Sequence, residues 1–146
     1  EVLSFIHRSD MVHGAVVPAH LLVEENEHVV MLVGYSAAGR IGGKVRAISD
    51  RFALFYPNLS LRSKLTPQVD LVMSARVMTA ILGGDPEKGT VPSAVPGRLA
   101  RFVREFALAD PYGSIQADAW SIREELGAMA DELFGPPQFI PIVMPS

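Results

Sequence analysis

Residues 66 to 84 read TPQVDLVMSARVMTAILGG, a helix whose apolar residues fall on most of its faces rather than on one stripe. Thr66 suits the N-cap, Pro67 the first helical position, and Gly83 or Gly84 the stop. Such a helix finds enough apolar neighbours only at the centre of a domain, so the rest of the chain has to be arranged around it. Asp70 breaks the pattern. A carboxylate at the opening of a buried helix is costly unless its oxygens accept hydrogen bonds.

The flanking segments supply partners for a central helix. Residues 1 to 8 have the spacing of the last turns of an amphipathic helix, with Val2, Phe5 and Ile6 on one face. The run AHLLVEENEHVVMLVGY predicts a hairpin, with strands over Leu21 to Val23 and His28 to Val33 around a polar turn at Glu24 to Glu27. Residues 34 to 65 read as irregular, with AAGRIGGK as a flexible loop and FYPN as a turn. A second helix, about 95 to 109, carries Leu99, Phe102, Val103 and Phe106 at i, i+3, i+4 and i+7. A third, about 116 to 134, aligns Ala119, Ile122, Leu126, Met129 and Leu133, and Gly135 with Pro136 stops it. Residues 135 to 146, rich in proline, are expected to form an extended C-terminal strap. The expectation is one mainly α domain over 1–146 with a small β-hairpin.

The 146 residues suffice for one core. A net charge of −3 gives no electrostatic footprint for nucleic acid. No apolar run nears the roughly 20 residues that span a bilayer. With no Cys, disulfides and thiolate metal sites are excluded, and a reducing, cytoplasmic setting is favoured. The chain begins at Glu1 already inside an apolar pattern, which reads as a piece of a longer protein.

Before the hairpin lies MVHGAVVPAHLLV, in which His13, Gly14, Ala15, Val16, Val17, Pro18, Ala19 and His20 lead into a strand. This frame resembles the catalytic loop of eukaryotic-like protein kinases, His-Arg-Asp-x-Lys-Pro-x-Asn. His13 and Pro18 match; Ala15, Val17 and His20 stand where that family has Asp, Lys and Asn. The order continues along nearly the whole chain. Val33, Gly34 and Tyr35 fall where the family has Asp-Phe-Gly, and FYPN falls at its Ala-Pro-Glu motif. Asp70 matches the Asp of the family's buried helix, and Asp110 with Pro111 matches a late Asp-Pro whose following Arg falls here on Ser114. The resemblance implies a kinase-like C-terminal lobe with the N-terminal lobe absent. It also implies that His13 hydrogen-bonds backbone beneath the loop and that Asp70 braces residues 13 and 14, so His13, Pro18 and Asp70 are expected to keep the loop's shape.

The departures remove the chemistry. Ala15 can neither orient nor deprotonate a hydroxyl, and losing a general base costs about 10²–10⁴ in rate. Mg²⁺ wants oxygen ligands, whereas the family's two ligand positions hold His20 and Val33. Val17 cannot hold a transferred phosphate, and no Gly-rich phosphate loop occurs. The expectation is a non-catalytic, pseudokinase-like interaction or regulatory module without cofactor or metal, serving a protein partner or a fused domain. Lys44, Arg46 and Arg51, in the segment matching the activation loop, are the expected partner surface.

Two enzymes compete with that reading. One is an atypical kinase with residual nucleotide binding in a longer chain. The other follows from RSDMVHG, whose Arg-x4-His spacing resembles HEPN-type ribonucleases, with Arg8 as phosphate clamp and His13 as base. Gly14 and Pro18 oppose the long helix that motif needs. The four histidines lack helical ligand spacing, so no metal site is expected, and His7 and His28 are expected to be solvated. Arg98, Arg101 and Arg104 read as a solvated face with an Arg101–Glu105 pair at i, i+4. Trp120, Met73, Met78 and Met129 read as core filling.

Overall fold

The structure, a computed structural model, describes residues 1–27, 29–113 and 115–141. Its elements are α1 (Val2–Arg8), β1 (Met11–Val12), β2 (Leu21–Val23), β3 (Val30–Leu32), β4 (Gly39–Arg40), α2 (Pro67–Ile81), α3 (Gly97–Ala107) and α4 (Ala119–Phe134). This is a small α+β fold. No helix among the described residues is long and apolar enough to cross a membrane.

The apolar helix is central, as its sequence demands. Val69, Asp70, Leu71, Val72, Met73, Ala75, Val77 and Thr79 of α2 are all buried, which covers most of the helix. On one side Val69 and Met73 pack with Val16, Val17 and Tyr56. On another, Leu99, Phe102, Val103 and Met129 form a second core, against which Met78 and Leu82 lie. Thr66 occupies the N-cap but makes no cap bond. Its hydroxyl instead donates to the Pro111 carbonyl at 3.1 Å and ties the start of α2 to a distant loop.

The expected hairpin is present: β2 and β3 pair antiparallel, with Leu22 opposite Met31. The second strand is shorter than expected, and His28 lies outside the described residues. A second ladder escapes the sequence pattern. β1 pairs antiparallel with β4, Met11 opposite Arg40 and Val12 opposite Gly39. Two-residue strands carry no periodicity; their pairing is fixed by the complete burial of Val12 with Val45 and Leu65. The segment expected to be irregular therefore holds β4 and short 3₁₀ turns at Tyr35–Ala37 and Asp50–Phe55.

α4 begins at Ala119 rather than near 116 because Asp118 forms a capping box with Ser121. Residues 135–141 form neither helix nor strand, and 142–146 of the expected strap lie outside the described residues. Trp120 is not core: it is 38% exposed, and the guanidinium groups of Arg8 and Arg123 lie 5.7 and 5.5 Å from its ring centre. No Arg101–Glu105 ion pair forms among the described residues, whereas Arg98 pairs with Glu132 and joins α3 to α4.

Candidate functional site

Residues 13 to 20 form a loop pinned from below by α2. Asp70, in the first turn of that helix and fully buried, sits where the helix dipole favours negative charge. Its Oδ2 accepts from the His13 backbone N–H at 2.8 Å, and its Oδ1 accepts from the Gly14 N–H at 2.8 Å. Those are the two residues that Asp70 was expected to brace. Oδ2 also accepts from His7 Nε2 at 2.9 Å. His7 is therefore not solvated, as the sequence suggested; its side chain is only 9% exposed. The last turn of α1 carries it over the start of α2, and a third donor for the buried carboxylate is the physical reason it is there.

His13 is a hub with one defined tautomer. Its Nε2 donates to the Val33 carbonyl at 2.9 Å, while its Nδ1 accepts from the Ala15 N–H at 3.2 Å. Its ring meets Tyr35 edge-on at 4.7 Å. Burial holds His13 below the ordinary histidine value, against the opposing pull of the Val33 carbonyl and the Asp70 charge; His20 adds to the lowering. The neutral form suits the geometry, because a proton on Nδ1 would remove the acceptor that the Ala15 N–H needs.

Two glycines make this arrangement possible. Gly14 has φ of 72°, and a Cβ there would stand 3.0 Å from the Ala37 carbonyl oxygen. Gly34 has φ of 78°, and its missing Cβ leaves room for the His20 ring, which would lie 2.4 Å away. His20 thus folds back over the loop, and its Nδ1 donates to the Ala15 carbonyl at 2.7 Å. Pro18 opens a 3₁₀ turn, Pro18–His20, that leads into β2.

The remaining positions point inward. Ala15, Val16 and Val17 are 3%, 3% and 1% exposed, and Val16 and Val17 belong to the core around Tyr56 and Met73. At the positions where the resemblance calls for an Asp and a Lys, apolar side chains are sealed from solvent. Val33 contributes its carbonyl to His13. The carboxylate at the loop, Asp70, has both oxygens engaged. Among the described residues, no group of three or more His, Cys, Asp or Glu stands together as metal ligands would.

The two residues of the Arg-x4-His spacing do not converge on an open site. Arg8 ends α1 and lies over Trp120, while His13 is completely buried with both ring nitrogens bonded. Lys44, Arg46 and Arg51 are exposed. Lys44 sits in a bridge opposite Lys64, and Arg51 stacks on Phe52 at 5.4 Å.

One structural residue escaped sequence reasoning. Arg76 projects from α2, and its Nε donates to the Ala107 carbonyl at the end of α3 at 3.0 Å. Its Nη1 donates to the Leu54 carbonyl at 3.1 Å and the Tyr56 carbonyl at 2.5 Å. Arg76, the one basic residue in a mostly apolar helix, was itself the available signal. Among comparisons with known proteins, no protein-family model matches this chain and no curated protein matches it.

Proposed function

We propose that this chain is a degenerate, protein-kinase-like C-terminal lobe that acts without phosphoryl transfer, as an interaction or regulatory module for a protein partner or fused domain. The observation that carries the reading is the burial of Ala15 and Val17. Phosphoryl transfer rests on charge compensation and on positioning of the hydroxyl, and these two side chains offer neither charge nor access. Support for the kinase-like frame comes from the Asp70 bonds to the His13 and Gly14 backbone and from the His13 bond to the Val33 carbonyl. Both contacts are ones the resemblance implies. The same reading keeps Lys44, Arg46 and Arg51 as a surface available to a partner and the cytoplasm as the place of action.

The test is nucleotide binding and transfer. A ligand at 100 times its Kd stabilises a fold by about 2.7 kcal/mol, which is several degrees in melting temperature for a domain of this size. ATP with Mg²⁺ or Mn²⁺ is expected to leave the melting temperature of this chain unchanged, with no phosphate passed to a generic protein substrate. Measurable transfer overturns the proposal in favour of an atypical kinase. RNA cleavage abolished by His13→Ala overturns it in favour of the nuclease.

A further inference from the structure

An open groove of about 1120 Å³ is bounded by α1, α2, α3, α4 and the β2–β3 hairpin. Drug-sized ligands fill about 300–1000 Å³, so this groove suits a length of polypeptide. Its walls have helical spacing. Leu71, Ser74, Ala75 and Met78 of α2 line its floor at i, i+3, i+4 and i+7, none carrying charge; Leu71 and Ala75 are buried there, and the exposed Ile81 continues the apolar surface. On α4, Glu124, Gly127, Ala128 and Asp131 repeat that spacing, two small residues bracketed by two acids. A Cβ added at Gly127 meets nothing within 4 Å, so among the described residues no side chain fills the space directly above it.

The rim fixes the sign of the occupant. Arg123 is matched by Glu1 at 3.1 Å. Glu124 and Asp131 have no ion-pair partner among the described residues, and they lie on one face about 10.5 Å apart along the helix axis. We infer that this groove docks an amphipathic helix of a partner protein, one with an apolar stripe toward α2 and two Lys or Arg residues seven positions apart toward α4. The inference rests on the reading of this chain as an interaction module and names the kind of partner that module takes. Helix-in-groove recognition supplies the physics: apolar anchors at i, i+3, i+4 and i+7 give affinity, and rim charges set selectivity.

The experiment uses two labelled 16-residue helical peptides with the same Leu stripe, one carrying Lys and the other Glu at the two flanking positions. Fluorescence anisotropy with the full chain is expected to show the Lys peptide binding at least tenfold tighter, with affinity falling as salt is raised. The Glu124→Lys/Asp131→Lys double variant is expected to reverse that preference. Gly127→Trp, placed where there is open space and in a helix that glycine disfavours, is expected to abolish binding of both peptides without lowering the melting temperature. Several results overturn the inference: no binding of either peptide, equal binding of the two, or binding that Gly127→Trp leaves intact. A concentration-dependent dimer that Gly127→Trp disperses also overturns it, since the groove then holds a second copy. Phosphoryl transfer is measured separately, so a chain that transfers phosphate but also binds the Lys peptide refutes the non-catalytic reading and leaves the groove assignment standing.

Discussion

The loop over residues 13–17 and the β2–β3 hairpin are written in the same apolar letters, and only a few residues separate them, yet they meet opposite fates. Every residue from 13 to 17 is buried. In the hairpin, Leu22, Val23, Val30 and Met31 are between 43% and 55% exposed. Hydropathy does not distinguish them. The loop is held down by a charged group of another element, the Asp70 carboxylate, which takes up its backbone donors; the hairpin strands pair with each other along their ladder. Stability is therefore concentrated in the loop that Asp70 braces, and the more exposed apolar side chains lie beside it.

Removing the anchor should break that contrast most violently. Asp70→Ala leaves two buried backbone N–H groups and His7 without their acceptor. Unsatisfied buried donors cost about 1–3 kcal/mol each, so the variant is expected to lose about 3 kcal/mol or more in urea unfolding. A loss below about 1 kcal/mol would mean that the loop is held by its apolar side chains alone. Arg76→Met ranks next. It removes the bonds to the Leu54, Tyr56 and Ala107 carbonyls while keeping the stem's volume. The expected loss is about 2 kcal/mol, with hydrogen-exchange protection falling first in residues 52–56.

The legible parts of the fold were those written locally. The extent of α2, the stripe of α3 and the first strand of the hairpin follow from spacing, caps and turn residues. The Asp70 brace was reached through the motif frame, since nothing local to residue 70 says which donors it will meet. What stayed hidden depends on partners far along the chain. The β1–β4 ladder joins residues almost 30 positions apart, His7 meets Asp70 across 63, and Arg76 reaches Ala107 across 31. Trp120 misled in the opposite sense: its helical spacing suggested core, but two arginines hold its ring at the surface.

The His13 hub sharpens the comparison through pH. Burial lowers its pKa in the folded state, so the unfolded chain binds the extra proton more readily. The stability this gives is complete above the unfolded value of about 6.5 and is lost as pH falls from there through the folded value. His13→Asn is expected to be less stable than the parent at pH 7.5 by about 1 kcal/mol, the net worth of one hydrogen bond. Its melting temperature should then vary less between pH 7 and pH 5 than the parent's. Parallel pH profiles for the two proteins would place the acid response elsewhere.

The smallest effect belongs to the hairpin, and its smallness is informative. Leu22 and Met31 face each other across the ladder, 47% and 45% exposed. Replacing both with Thr keeps a residue suited to strands and a cross-strand pair, and such pairs contribute about 0.2–1 kcal/mol. The double variant is expected to unfold within about 0.5 kcal/mol of the parent by urea titration, in keeping with surface substitutions generally. A Leu and a Met buried as Val16 and Val17 are would lose several times that on truncation. A cost near 2 kcal/mol would therefore show that the hairpin's apolar face supports the fold as the loop does. A near-neutral result shows that those side chains do nothing for the fold, so that the exposed ladder and the buried loop differ in energy as they differ in burial.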